Sequence, residues 1–123
     1  MTAKELLKAA IEGTGDVTKD VMSTVTGVVK EGTHDIGELF GAIIELGKEG
    51  LVDVGTGVKD VYVGSVKALE EGGETTEEAV EEVTVSAEKA IGNVGQEAAE
   101  SVGEAAKKGL EEAKEIIKKP FES

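Results

Sequence analysis

The sequence predicts an all-α protein, a single long helix per chain wound with its copies into a right-handed coiled coil. Two observations lead there. Apolar residues recur with an eleven-residue period, and acidic residues recur in the same period on the opposite side. A third observation, the placement of helix-ending signals, sets the length.

Counting by eleven from Ala3 gives Thr14, Val25, Ile36, Gly47, Val58, Leu69, Val80, Ile91, Val102 and Ala113. Three positions later a second column runs Leu6, Val17, Val28, Leu39, Gly50, Val61, Gly72, Val83, Val94, Ala105, Ile116. A third, adjoining it, contains Leu7, Phe40, Leu51, Tyr62, Gly73 and Ile117, and a fourth contains Val21, Gly32, Ile43 and Val54. No member of these columns is charged. The opposite column reads Glu5, Asp16, Gly27, Glu38, Glu49, Asp60, Glu71, Glu82, Asn93, Glu104, Glu115. The pattern holds in one frame over the whole chain. Local alternation, as in Val61-Tyr62-Val63, does not sustain a strand reading against it.

The ends fit one continuous helix over residues 2–119, with 120–123 as a tail. Thr2 with Glu5 forms a capping-box pattern. Pro120 cannot continue a helix and disfavours helical geometry at Lys119. At 1.5 Å per residue that helix is about 170 Å long.

The chain holds 17 glycines, each costing up to about 1 kcal/mol against alanine in a helix interior. Such a helix exists only when packing offsets its propensity, so the sequence predicts obligate assembly. An eleven-residue repeat winds to a right-handed supercoil. The breadth of the apolar face favours a homotetramer. The expected oligomer core is Leu6, Val17, Val21, Val25, Val28, Ile36, Leu39, Phe40, Ile43, Val54, Val58, Val61, Leu69, Val80, Val83, Ile91, Val94, Val102 and Ile116. The alternative is an antiparallel helical hairpin turning near Gly72-Gly73, where Thr75 with Glu78 is positioned to cap a second helix.

Composition excludes several functions. The net charge is −13 with no arginine, which opposes nucleic acid and anionic membranes. The longest uncharged run, Val21–Val29, is far too short to span a bilayer. The absence of cysteine neither requires nor excludes an oxidising compartment, and the first ten residues lack a secretory apolar core, so the expected location is cytoplasmic.

Candidate chemistry is sparse. His34 and Glu38, four apart, share a helix face, but two ligands are too few for a dedicated metal site. Gly13-Thr14-Gly15 and Gly55-Thr56-Gly57-Val58-Lys59 lack phosphate-loop spacing. Glu77, Glu78, Glu81 and Glu82 lack the carbonyl-rich loop of a calcium site. Tyr62 and Phe40 read as core. No catalytic, cofactor or metal residue is expected.

The stretches 11–21 (IEGTGDVTKDV) and 25–29 (VTGVV) and the closing Lys118-Lys119-Pro120-Phe121 resemble bacterial eleven-residue-repeat coiled-coil proteins rich in Gly, Val and Thr. That family implies no activity. The repeat is also similar to tetrabrachion-type right-handed coiled coils, which implies a four-stranded rod. A looser likeness to late embryogenesis abundant repeats implies desiccation protection or lipid-surface binding. The expected function is therefore a structural, self-assembling rod, spacer or scaffold without catalytic activity. The alternative is a lipid- or granule-surface binder or desiccation protectant.

Overall fold

Four short segments of this chain share one pattern: an acidic residue, a glycine, two variable positions, then Asp or Thr. They are Glu12-Gly13 to Asp16, Glu31-Gly32 to Asp35, Glu49-Gly50 to Asp53, and Glu71-Gly72 to Thr75. The computed structural model describes the backbone of residues 1–13, 15–94 and 100–122. In it, every one of these segments separates two helices. The described helices are α1 (Ala3–Glu12), α2 (Val17–Glu31), α3 (Ile36–Lys48), α4 (Val54–Glu71), α5 (Thr76–Val94) and α6 (Glu100–Glu122).

Each break has a local cause. Glycine ends the helix, and three of them adopt the left-handed backbone that side-chain-bearing residues avoid: Gly32 (φ 72°), Gly50 (φ 83°) and Gly73 (φ 107°). A short polar side chain then starts the next helix by accepting a backbone N–H. Asp16 accepts from Lys19 (3.2 Å), Asp35 from Glu38 (2.7 Å), Asp53 from Thr56 (3.0 Å) and Thr75 from Glu78 (3.1 Å). Glu78 reaches back to the Thr75 N–H at 2.9 Å, closing a capping box. The box at Thr2 and Glu5 is likewise formed.

These breaks overturn the expected rod. The longest helix has 23 residues, so the single helix over 2–119 does not form, nor does the homotetrameric coiled coil built from it. The two-helix hairpin fails too, because Gly72-Gly73 is one turn among several. The eleven-residue columns misled because glycine satisfies an uncharged column as well as valine does. Gly32, Gly50 and Gly73 all lie in those columns, and they are the residues that end helices. The C-terminal boundary also differs: α6 runs past Pro120 to Glu122. So near a helix end, the missing proline N–H strips a partner from only one carbonyl, which water can serve.

The helices stack in two layers. In one, α1 packs on α3 and α3 on α5; in the other, α2 packs on α4 and α4 on α6. α2 and α4 run parallel: Thr18 faces Asp60, Thr26 Oγ1 donates to the Gly64 carbonyl (3.2 Å), and Lys30 meets Glu71 (3.6 Å). α4 and α6 are parallel as well, with Gly55 against Ala105 and Gly109, and Lys59 near Glu112 (3.9 Å). α3 joins the layers antiparallel to α4, placing Gly47 on Val54 and Ile43 on Gly57. Three helix pairs follow one another in this way, as in helical-repeat stacks, where each unit buries its neighbour's apolar face.

α4 is the centre of the stack and is buried around most of its circumference, through Val58, Val61, Tyr62, Gly64, Ser65 and Val66 among others. Its small residues let three neighbours close in. A Cβ on Gly64 would lie 3.0 Å from the Met22 carbonyl oxygen on α2. One on Gly57 would lie 2.6 Å from Ile43 Cγ1 on α3, and one on Gly109 of α6 would run into the Gly55 carbonyl.

Two substitutions separate the glycines that packing requires from those it does not. Gly109→Ala forces α6 away from a rigid backbone carbonyl and should destabilise the fold by about 2–3 kcal/mol in urea titration. Gly41 sits inside α3 with open space above it. Gly41→Ala should stabilise by about 0.5–1 kcal/mol.

Candidate functional site

The apolar residues expected between chains pack within one. Val21, Val25, Val28, Ile36, Leu39, Phe40, Ile43, Val54, Val58, Val61, Val83 and Ile91 are buried in the intramolecular core. Leu6, Val17, Leu69, Val80 and Val102 pack against it half-buried. Ile116 is 43% exposed. Val94 lies outside the residues whose side chains are described. Tyr62, read as core, is buried, and the expected core residues did not include Leu7, Ile44, Leu46, Val66 and Leu110, all of them buried as well. Several of these occupy columns flanking the chosen ones, a signal that the apolar face wraps wider than one seam.

The sharpest departure is Asp60. Its column places it on the outermost face of a rod, yet it is only 1% exposed. α4 has neighbours on both sides, so no face of it is reliably outside. Asp60 lies between α4 and the start of α2, hydrogen-bonded with Thr18, and its Oδ2 has no partner. Burial pushes its carboxyl up to about 6; the Thr18 hydrogen bond and Lys59 oppose this, and the nearby Asp16 adds to it. Ser65 Oγ is likewise buried without a partner. Tyr62 is fully buried and shares a hydrogen bond with Thr84 Oγ1 at 2.7 Å. Burial raises its phenol, against the Thr84 bond.

The polar constellations singled out in the sequence serve structure. Each ring nitrogen of His34 has a partner, Nδ1 with Glu38 Oε2 (3.0 Å) and Nε2 with the Met1 carbonyl (2.9 Å). The ring ties the N-terminus to α3. Among the described residues, no three potential ligands gather. Gly55 and Gly57 form the first turn of α4, where Asp53 occupies the helix end by accepting from Thr56 N and Oγ1, both at 3.0 Å. Of Gly13-Thr14-Gly15, Thr14 lies outside the described residues. Glu78 is used in its cap, which lowers its carboxyl through the Thr75 hydrogen bonds. Glu74 is raised by desolvation and by its neighbours Glu82 and Glu78.

Three open surface grooves lie among the described residues, the smallest, about 260 Å³, beside Val63, Val66, Thr76 and Ile116. The largest, about 670 Å³, runs along α5 beside the α2–α3 turn and is lined by His34, Asp35, Ile36, Glu82, Lys89 and Asn93 among others. The second, about 450 Å³, lies between α2 and α4. Its walls carry Lys19, Lys30 and Lys67, with Ser23, Thr26 and Gly27. Among the described residues no helix is long and apolar enough to cross a membrane. Comparison with protein-family models, curated proteins and solved structures returns no match.

Asp60 makes stability depend on pH in a definite direction. Its folded-state value, about 6, lies above the ordinary 3.8, so between these values the folded chain binds more protons than the unfolded one. Its burial therefore weakens the fold at neutral pH, and that loss is relieved as pH falls from above 6 towards 4. Asp60→Asn should raise stability at pH 7.5 by roughly 1–3 kcal/mol and flatten the slope between pH 4 and 6.5. Chemical denaturation across that range checks both.

Proposed function

We propose that this chain is a non-catalytic structural protein, a folded helical scaffold that acts through its surface. The observation that carries the reading is the use made of the repeat: its apolar side chains are consumed inside one chain, and the outer surface is left charged. Among the described residues, the large apolar side chains that stay exposed, Met1, Leu51, Val85 and Ile116, sit on separate elements. The buried polar groups support the same reading. Asp60, Ser65 and Tyr62 lie in helix–helix seams, whereas catalysis calls for groups converging on a concave site. Self-association, in this reading, joins folded units through polar contacts, and the acidic surface keeps them apart except where charges match.

The alternative, coating a lipid or granule surface, requires the stack to open and turn its apolar side outward. α6 packs on α4 largely through small residues, Ala106, Gly109 and Ala113, with Leu110 its large buried side chain among the described residues.

Circular dichroism and thermal unfolding, with and without anionic vesicles, separate the two. The scaffold reading expects strong helicity and one cooperative transition in buffer alone, unchanged by vesicles. A chain that is disordered in buffer and becomes helical on vesicles contradicts it.

A further inference from the structure

Carboxylates outnumber lysines two to one in this chain, 26 to 13, yet Lys8, Lys48 and Lys89, among others, make no ion pair among the described residues. The α2–α4 groove brings two such lysines onto one surface. Lys19 and Lys67 are exposed on its opposite walls and make no ion pair among the described residues. Lys30, further along, meets Glu71 at 3.6 Å with both side chains about half exposed. Gly27, on the same wall, lies within α2 with open space where a side chain would be. Nothing inside the chain uses that space, although glycine there weakens the helix.

The same molecule carries the complementary surface. Glu77, Glu78, Glu81 and Glu88 are exposed on the outer face of α5, around Val85, which is 48% exposed. The spacing matches. Lys19 and Lys30 are eleven residues apart on one face of α2, and Glu77 and Glu88 are eleven apart on one face of α5. Eleven residues make three turns, about 16 Å of helix. A helix bearing the α5 face can therefore lie along the groove with its end carboxylates at Lys19 and Lys30, Glu81 near Lys67 and Val85 towards Val63. The eleven-residue period that does not build a rod sets equal charge spacing on two different surfaces.

We infer that the α2–α4 groove receives the acidic outer face of α5 from a second copy of this chain. The inference rests on the scaffold reading above and names its contact. The two surfaces differ, so the contact is heterologous: each copy keeps a free groove and a free α5, and association continues as a chain or closes as a ring. One helix in an open groove buries less than a standard interface, so the contact is weak and dependent on concentration and salt.

Sedimentation velocity over a concentration series at low and high salt tests it, with circular dichroism on each protein as a check of folding. The natural chain should associate progressively at low salt and dissociate at high salt. A groove variant, Lys19→Glu with Lys67→Glu, and a helix variant, Glu81→Lys with Glu88→Lys, should each self-associate roughly tenfold more weakly or not at all. Mixed, the two should recover the association of the natural chain, because the reversed groove of one matches the reversed helix of the other and the natural groove and helix still match. A helical, cooperatively folding chain that stays monomeric at low salt overturns the interface and leaves the scaffold reading standing. Association that both variants retain undiminished also overturns it. A chain with no cooperative helical fold overturns the scaffold reading itself.

Discussion

The backbone-to-backbone approach of α4 and its neighbours governs the rest of this structure. Gly55 meets Gly109 of α6, Gly64 meets the Met22 carbonyl of α2, and Gly57 meets Ile43 of α3. A chain with two Phe, one Tyr and no Trp cannot fill wide gaps between helices. It gains its dispersion energy by bringing small side chains close, and that requires glycine where backbones cross. The same glycines carry a propensity cost that no isolated helix of this composition could bear. The helices and their packing are thus one event, and the two layers follow from having a central helix that can be approached from three directions.

That centrality has an electrostatic consequence. A helix with neighbours nearly all round leaves little of its surface for charge, and Asp60 is caught in the α2 seam with no ion pair among the described residues and one oxygen without a partner. Lys59, adjacent in sequence, points towards Glu112 on α6. The charge that keeps the molecule in solution lies elsewhere, in the acidic caps of the turns and the outer face of α5. The lysines of α2 and α4 face a groove of their own, so a strongly acidic chain still presents one locally basic surface.

Much of this was legible in the sequence and part of it was misread. The all-α class followed from apolar periodicity, and most of the residues chosen from the columns are indeed apolar positions that pack inside. Thr2–Glu5 and Thr75–Glu78 were readable as caps. The helix breaks were also written in the sequence, as Glu-Gly followed after two intervening residues by Asp or Thr, but a search by elevens cannot see a signal spaced by eighteen, nineteen or twenty-two. Counting glycine as apolar let Gly32, Gly50 and Gly73 pass as seam residues when each is a stop. The burial of Asp60 and the role of Gly109 depend on which helices become neighbours, and no single helical wheel holds that information. The lysine groove is of the same kind, since Lys19 and Lys67 are far apart in sequence and meet only across a helix pair.

Small-angle X-ray scattering, extrapolated to zero protein concentration, tests the central claim most directly. A chain of this length folded on itself has a radius of gyration of about 14 Å. A continuous helical rod of about 170 Å, alone or bundled, would give about 50 Å, the value for a thin rod at 1.5 Å per residue. The account predicts the first value, and the second would contradict it.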